Sequence, residues 1–135
     1  MRTRIVIIIS LLLVLLSVAA VASDIDQARA MADRTNALVE SMITGTVETA
    51  VRITENFDRL FEKAEGDSKL LETLKSNYVN VINSLGNSLA EAAFRVSAAT
   101  IRRIEELGFK AICYYVPVKL GDKIFLIDPI RIIDD

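Results

Sequence analysis

Few side chains in this 135-residue sequence are suited to catalysis or to metal binding. The chain contains no histidine, which removes the commonest general base and the commonest metal ligand. Its one cysteine, Cys113, could act as a nucleophile only if a base activated the thiol, and there is no histidine to do so. Catalysis by a pair of carboxylates is the other option, but the spacing of the acidic residues supplies no such pair. The sequence therefore predicts no catalytic residue, no cofactor and no metal site, and favours a protein that is not an enzyme.

Cys113 cannot form an intramolecular disulfide, because the chain has no second cysteine. In an exported protein, a single cysteine is either a buried thiol or an intermolecular link. Cys113 lies in an apolar run typical of a strand, and a buried cysteine behaves as a small apolar side chain. We expect a buried thiol, with a crosslink as the alternative.

The first 22 residues have the pattern of a secretory signal peptide. Arg2 and Arg4 precede a long apolar run, and the segment ends in the small residues Ala20-Val21-Ala22. A positive start, an apolar stretch and an A-x-A site predict cleavage after Ala22. The alternative is an uncleaved signal anchor with the body outside, since an uncharged run of this length approaches that of a membrane span. Either interpretation predicts export to the periplasm, the cell envelope or the exterior.

The charge of the remaining chain argues against a nucleic-acid partner. Residues 1–22 hold two of the 16 basic residues and none of the 18 acidic residues, so residues 23–135 carry a formal charge of −4. A nucleic-acid-binding protein normally presents a basic face. The helices described next have no basic polar face, so only weak attraction to anionic lipid is expected.

Residues 23–107 are predicted to form an antiparallel helical hairpin. Apolar or small residues recur every three or four positions on both sides of the segment Glu65-Gly66-Asp67-Ser68, and this is the helical period. Gly66 can end the first helix and Asp67 or Ser68 can begin the second. With the turn near residue 66 or 67, position i of the first helix should face roughly position 133 − i of the second.

Residues 108–135 are predicted to form a β-hairpin with a short C-terminal extension. Apolar residues alternate from Ala111 to Leu120, Gly121-Asp122 supplies a type II′ turn, and a second strand begins at Lys123. Asp128-Pro129 should end this strand. Both faces are apolar, so the hairpin must pack on the helices or join a sheet of another chain. Tyr114 and Tyr115 are expected to place one ring on each face.

Three features of the sequence predict an interface. Gly45 and Gly86 lie at matching heights of the two helices, which predicts close packing within the hairpin, a self-association patch, a ligand niche or a kink. A neutral polar stripe on the second helix is either a solvated face or an amide-lined seam in an oligomer. The apolar hairpin contributes further residues. The candidate interface is Gly45, Asn77, Asn80, Asn83, Gly86, Asn87, Tyr115, Ile124 and Leu126.

The fold class predicted is mainly α with a small β part: a signal peptide, a long two-helix hairpin and a two-stranded β-hairpin. The leading functional hypothesis is an exported structural or interaction protein that forms a homo-oligomer or binds an exported protein, with the membrane involved only through an uncleaved anchor. The alternative is a carrier or sensor of an apolar ligand or a membrane surface, bound along the helix seam near Gly45 and Gly86.

Overall fold

The computed structural model describes the backbone of residues 2–133 and the side chains of residues 23–133. Two long helices come first, α1 (Arg2–Lys63) and α2 (Ser68–Glu106). Four short strands follow, β1 (Lys110–Cys113), β2 (Val116–Leu120), β3 (Lys123–Ile127) and β4 (Ile130–Ile133). The predicted fold class, a helical hairpin followed by a small antiparallel β structure, is confirmed.

The helices meet in the predicted antiparallel register. Gly66 has a φ of 94°, a left-handed conformation that ends α1, and the side chain of Asp67 caps α2 by accepting a hydrogen bond from the Leu70 N–H at 3.0 Å. In the half of the hairpin nearer the connection between the helices, the hydroxyl groups of Thr54 and Tyr78 are 3.2 Å apart. Towards the far end, the hydroxyl groups of Thr35 and Thr100 are 2.7 Å apart.

Helix α1 continues from residue 2 through the predicted cleavage site at Ala22 without a break in its backbone. The predicted signal peptide, residues 1–22, lies outside the residues whose side chains are described. Within the described part, no helix combines the length and apolarity that a membrane span requires.

The strands form one antiparallel ribbon, residues 110–133. Every pair, from Lys110↔Ile133 to Leu120↔Lys123, has residue numbers that add to 243, so the register is the same along the whole ribbon. The segment predicted as a short C-terminal extension is therefore a paired strand, β4. Gly121 has a φ of 58° and no residue other than glycine has a positive φ in the described backbone, as the predicted type II′ turn requires.

The ribbon makes a half-turn at a crossover, defined as Tyr114-Tyr115 and Asp128-Pro129. The odd-numbered residues of β1 and the even-numbered residues of β4 face the helices. Beyond the crossover the parity changes, so the even-numbered residues of β2 and the odd-numbered residues of β3 face the helices. Pro129 cannot donate a ladder hydrogen bond, and only the Tyr114 N–H to Pro129 carbonyl bond, 3.0 Å, remains there. Tyr114 and Tyr115 lie between β1 and β2 and both are exposed, so the prediction that they occupy the two faces of one strand is wrong.

Two hydrophobic cores hold the ribbon on the helices, one on each side of the crossover. The larger joins α1 and α2 to β2 and β3 around Ile82, Leu120 and Ile127, and the smaller joins the helices to β1 and β4 around Ile104 and Ile130. The described members of both cores lie between residues 28 and 132, so the fragment 23–135 retains every core residue that the structure describes.

Candidate interaction surface

Polar side chains of both helices hold the crossover in place. The side-chain amide of Asn36, on α1, donates to the Ile130 carbonyl at 2.8 Å and accepts from the Ile130 N–H at 2.9 Å. It thus bonds to β4 as a neighbouring strand would. On α2, the hydroxyl of Ser97 donates to the Asp128 carbonyl at 2.5 Å. These bonds fix the position of the half-turn, and with it the direction in which each strand face points.

Gly86 and Gly45 lie on different sides of the molecule. Gly86 is buried beneath the ring of Phe125, and a Cβ at this position would overlap the ring. The close approach is thus between α2 and β3, and not between the two helices, which is one of the four interpretations of the sequence. A Cβ at Gly45 would have no atom within 4 Å. A single ligand niche that involves both glycines is therefore ruled out by their positions.

Gly45 borders an open groove between the helices, on the side away from the ribbon. The groove has a volume of ≈ 450 Å³. Its lining is mostly apolar or small: Ser41, Met42, Gly45, Thr46, Thr49, Leu85, Ser88, Leu89 and Ala92. Since Gly45 and Ser88 line the same groove, the predicted register of the helices holds here as well.

The two edges of the ribbon differ in how well they are protected. In an antiparallel ladder, hydrogen-bonded and non-hydrogen-bonded residue pairs alternate. Because Tyr114 and Pro129 form a hydrogen-bonded pair, 116↔127 and 118↔125 are hydrogen-bonded as well. The pairs 117↔126 and 119↔124 are then non-hydrogen-bonded, and their backbone N–H and carbonyl groups point outward from the ribbon. On β2 these outward groups belong to Pro117, which has no N–H, and Lys119, and both residue types discourage edge pairing.

On β3 the outward backbone groups belong to Ile124 and Leu126, whose side chains are 68% and 55% exposed. No side-chain or turn hydrogen bond in the described part of the chain uses these groups. We call them the β3 edge. It is an unprotected, apolar strand edge, which is the kind of site that pairs with a further strand.

The outer face of the ribbon, which points away from the helices, is apolar and basic. Its strand residues are Lys110, Ile112, Pro117, Lys119, Ile124, Leu126, Arg131 and Ile133, all exposed. The crossover adds Tyr114 and Tyr115, which are 40% and 70% exposed. Within the strands described, every charged side chain of this face is basic.

The asparagines of the neutral stripe of α2 do not all point in one direction; Asn77, Asn80 and Asn87 are exposed and Asn83 is half-buried. At 100° per residue, Asn83 and Asn87 lie about 60° and 100° from the row of Gly86, on the flank away from α1, whereas Asn77 lies about 180° from it. Asn80 lies at about 120°, only about 20° from Asn87, so it shares the flank of Asn83 and Asn87. Phe94, which is 54% exposed, is on the same flank as Asn83 and Asn87.

Strand β3 packs on α2 and β2 packs on α1, so the β3 edge also lies on the flank of α2 that is away from α1. The structure therefore brings Asn80, Asn83, Asn87, Ile124 and Leu126 to one flank and adds Phe94 to them. Of the other predicted interface residues, Tyr115 lies at the crossover, and Gly45, Gly86 and Asn77 lie elsewhere.

Cys113 is a partly buried thiol beside Asp128. Burial first, and then the negative charge of Asp128, raise the pKa of the Cys113 thiol above its ordinary value of 9.0. The Oδ1 atom of Asp128 is buried and has no hydrogen-bond partner among the described residues. A raised pKa lowers the thiolate fraction near neutral pH, so this thiol is a weak nucleophile there.

Within residues 23–133, no group of three or more cysteine or carboxylate side chains is placed to hold a metal ion. No protein-family model matches the chain, and neither a curated protein nor a solved structure shows significant similarity to it.

Sequence reasoning missed Asn36, Ser97 and Phe94. Asn36 and Ser97 interrupt otherwise apolar helix faces, and this could have marked them as polar residues with a buried partner. The signal for Phe94 is weaker, because a large exposed apolar residue on a helix is common.

Proposed function

We propose that this protein is a non-enzymatic structural or interaction module that self-associates by pairing of its β3 edge with the β3 edge of a second copy. The observation that carries the proposal is the contrast between the two edges of the ribbon. Pro117 and Lys119 protect the β2 edge, whereas Ile124 and Leu126 leave the β3 edge apolar and open. A strand edge of this kind gains its remaining hydrogen bonds from another strand.

The β3 edge is suited to a copy of itself. In an antiparallel pair centred on Phe125, Ile124 lies opposite Leu126 of the second copy, and each such pair exchanges two backbone bonds, about four in all. Residues 124–127 are uncharged, so no like charges meet between the paired strands. The contact is isologous and closed, as expected of a twofold dimer, and it produces a four-stranded sheet.

The flank of α2 supports the same occupant. Asn83 and Asn87 lie beside the β3 edge, and residues 76–90 carry no charge. An amide both donates and accepts hydrogen bonds, so it can pair with its own copy across a twofold axis, whereas lysine or glutamate cannot. Phe94 adds exposed apolar surface to this flank. Export of the module through residues 1–22 is part of the proposal and is supported by the residue pattern of that segment.

The test is the mass in solution of residues 23–135 and of the variant Leu126→Lys, by light scattering after size exclusion. Leu126 is opposite Pro117, so the new lysine has no like charge directly across from it in its own ribbon. We expect a dimer for the parent and a monomer with an unchanged helical circular dichroism spectrum for the variant. A parent that stays a monomer at high concentration would refute the proposal.

Val51→Lys is the matched control. Val51 lies on α1 and is 51% exposed, close to the 55% of Leu126, but it lines a pocket with Lys119, on the side of the β2 edge and not of the β3 edge. This variant should remain a dimer. If it dissociates as completely as Leu126→Lys, the association depends on general apolar surface and not on the edge.

Adding reductant distinguishes the edge from a crosslink. A dimer that dissociates only on reduction would assign the contact to Cys113. A folded monomer would instead favour the alternative function, a carrier of an apolar ligand, because the groove beside Gly45 is mostly apolar and large enough for a small ligand.

A further inference from the structure

The outer face of the ribbon differs in charge from residues 23–135 as a whole. Residues 23–135 carry a net formal charge of −4, yet the charged strand residues of this face, Lys110, Lys119 and Arg131, are all basic. Among them lie exposed aliphatic side chains and the two tyrosines of the crossover. The sequence alone does not predict this face, because its residues alternate with buried ones and change parity at the crossover.

We propose that the outer face docks on the surface of an anionic lipid bilayer. Aliphatic side chains can enter the boundary between headgroups and acyl chains, while tyrosine is favoured at the headgroup level, where its ring is half apolar and its hydroxyl remains in water. Lysine and arginine nearby gain energy from the negative surface potential of the lipid. All three classes of side chain lie together on this face.

The half-turn of the ribbon makes the face continuous. Without it, the outward residues of β1 and β4 would be the apolar Ala111, Cys113, Ile130 and Ile132 instead of the set that contains Arg131. Because Asn36 and Ser97 fix the crossover, Lys119 and Arg131 point away from the helices together. The acidic helices then lie behind the ribbon, on the side away from the lipid.

Docking through the face does not require the β3 edge. The face belongs to a single ribbon, and pairing of two β3 edges would extend it into a sheet with two copies of the same residues. The proposal therefore holds for a monomer and for a dimer, and failure of either proposal leaves the other standing.

The test is sedimentation of residues 23–135 with vesicles of phosphatidylcholine alone and of phosphatidylcholine with 30% phosphatidylglycerol. The fragment avoids binding through residues 1–22 and retains both cores. We expect binding to the anionic vesicles and much weaker binding to the neutral ones, and added salt should reduce binding. Absence of binding to anionic vesicles, or equal binding to both kinds, would overturn the proposal.

Charge variants locate the contact. Each basic residue near an anionic surface raises partitioning about fivefold, so Lys119→Gln with Arg131→Gln should lower it roughly 30-fold. Lys69→Gln with Arg102→Gln, on exposed positions of α2, removes the same charge and should change partitioning little. Equal loss in both double variants would indicate attraction by overall charge and would overturn docking through this face.

A fluorescent reporter provides a second readout. The chain contains no tryptophan, so Tyr115→Trp, at a position 70% exposed, introduces a single one. Its emission should shift to shorter wavelength when anionic vesicles are added. An unshifted emission with bound protein would place the contact elsewhere. The solution mass of Lys119→Gln/Arg131→Gln should equal that of the parent, which separates this surface from the self-association edge.

Discussion

Gly86→Ala should destabilise the protein although alanine is the better helix former. Two effects oppose each other at this position. Alanine in place of glycine stabilises a helix interior by about 1 kcal/mol. The added Cβ, however, would overlap the Cδ1, Cε1 and Cζ atoms of Phe125, and overpacking of a core costs about 1–3 kcal/mol. The structure therefore predicts a net loss of about 1 kcal/mol in the free energy of unfolding.

Phe125→Val reverses the sign of this effect. Valine lacks all three of the atoms that the new methyl group would meet, and it retains a good strand propensity. In this background, Gly86→Ala should stabilise the protein by up to about 1 kcal/mol, the helix-propensity term alone. The coupling between the two positions is then about 2 kcal/mol, within the range measured for residues in direct contact.

Urea unfolding followed by circular dichroism at 222 nm measures all four members of this cycle, with Gly45→Ala as the control. Gly45 has open space around its Cα, so its replacement should stabilise the chain by about 1 kcal/mol in either background. Should Gly86→Ala stabilise the parent as much as Gly45→Ala does, β3 would not lie against α2 and the positions of the ribbon and of the β3 edge would be wrong.

Two further predictions concern the crossover. Asn36→Ala leaves the N–H and carbonyl of Ile130, a residue only 1% exposed, without partners. The free energy of unfolding measured in urea should therefore fall by about 2–4 kcal/mol. The control Asn80→Ala should change it by less than about 0.5 kcal/mol. The raised pKa of the Cys113 thiol means that folding favours the neutral thiol; its stabilisation is fully present below pH 9.0 and is lost as the pH rises through the folded-state pKa. The melting temperature of the parent should therefore fall more steeply above pH 9.0 than that of Cys113→Ser; equal slopes would contradict this.

Much of the fold follows from local pattern. The helical period, Gly66 and Asp67 determine the hairpin of helices, because they act within a few residues of chain. Gly121 similarly determines the hairpin register, which is confirmed from Leu120↔Lys123 onwards. The predicted end of the strand at Asp128-Pro129 is also confirmed, since proline lacks the ladder donor.

The half-turn of the ribbon could not be predicted from the sequence. It depends on long-range bonds from Asn36 to Ile130 and from Ser97 to Asp128, between residues 94 and 31 positions apart. The role of Gly86 was missed for the same reason. Its position along the helix matches that of Gly45, which suggested a contact with α1, but the side of α2 on which Gly86 lies is covered by Phe125.

The candidate interface was predicted in part. Alternation in β3 indicates that Ile124 and Leu126 share a face, and the absence of charge marks the stripe of α2. Whether these sets meet depends on which strand packs on which helix, and periodicity holds no information on that choice. The structure places Asn80, Asn83 and Asn87 on the flank of α2 where the β3 edge lies, whereas Asn77 is on the side of α2 away from Gly86.

The mass of residues 23–135 in solution, measured by light scattering in reductant beside Leu126→Lys and Val51→Lys, tests the central claim most directly. Pairing through the β3 edge predicts a dimer for the parent and for Val51→Lys, and a folded monomer for Leu126→Lys. A parent that remains a monomer, or a dimer that Leu126→Lys leaves intact, would contradict it.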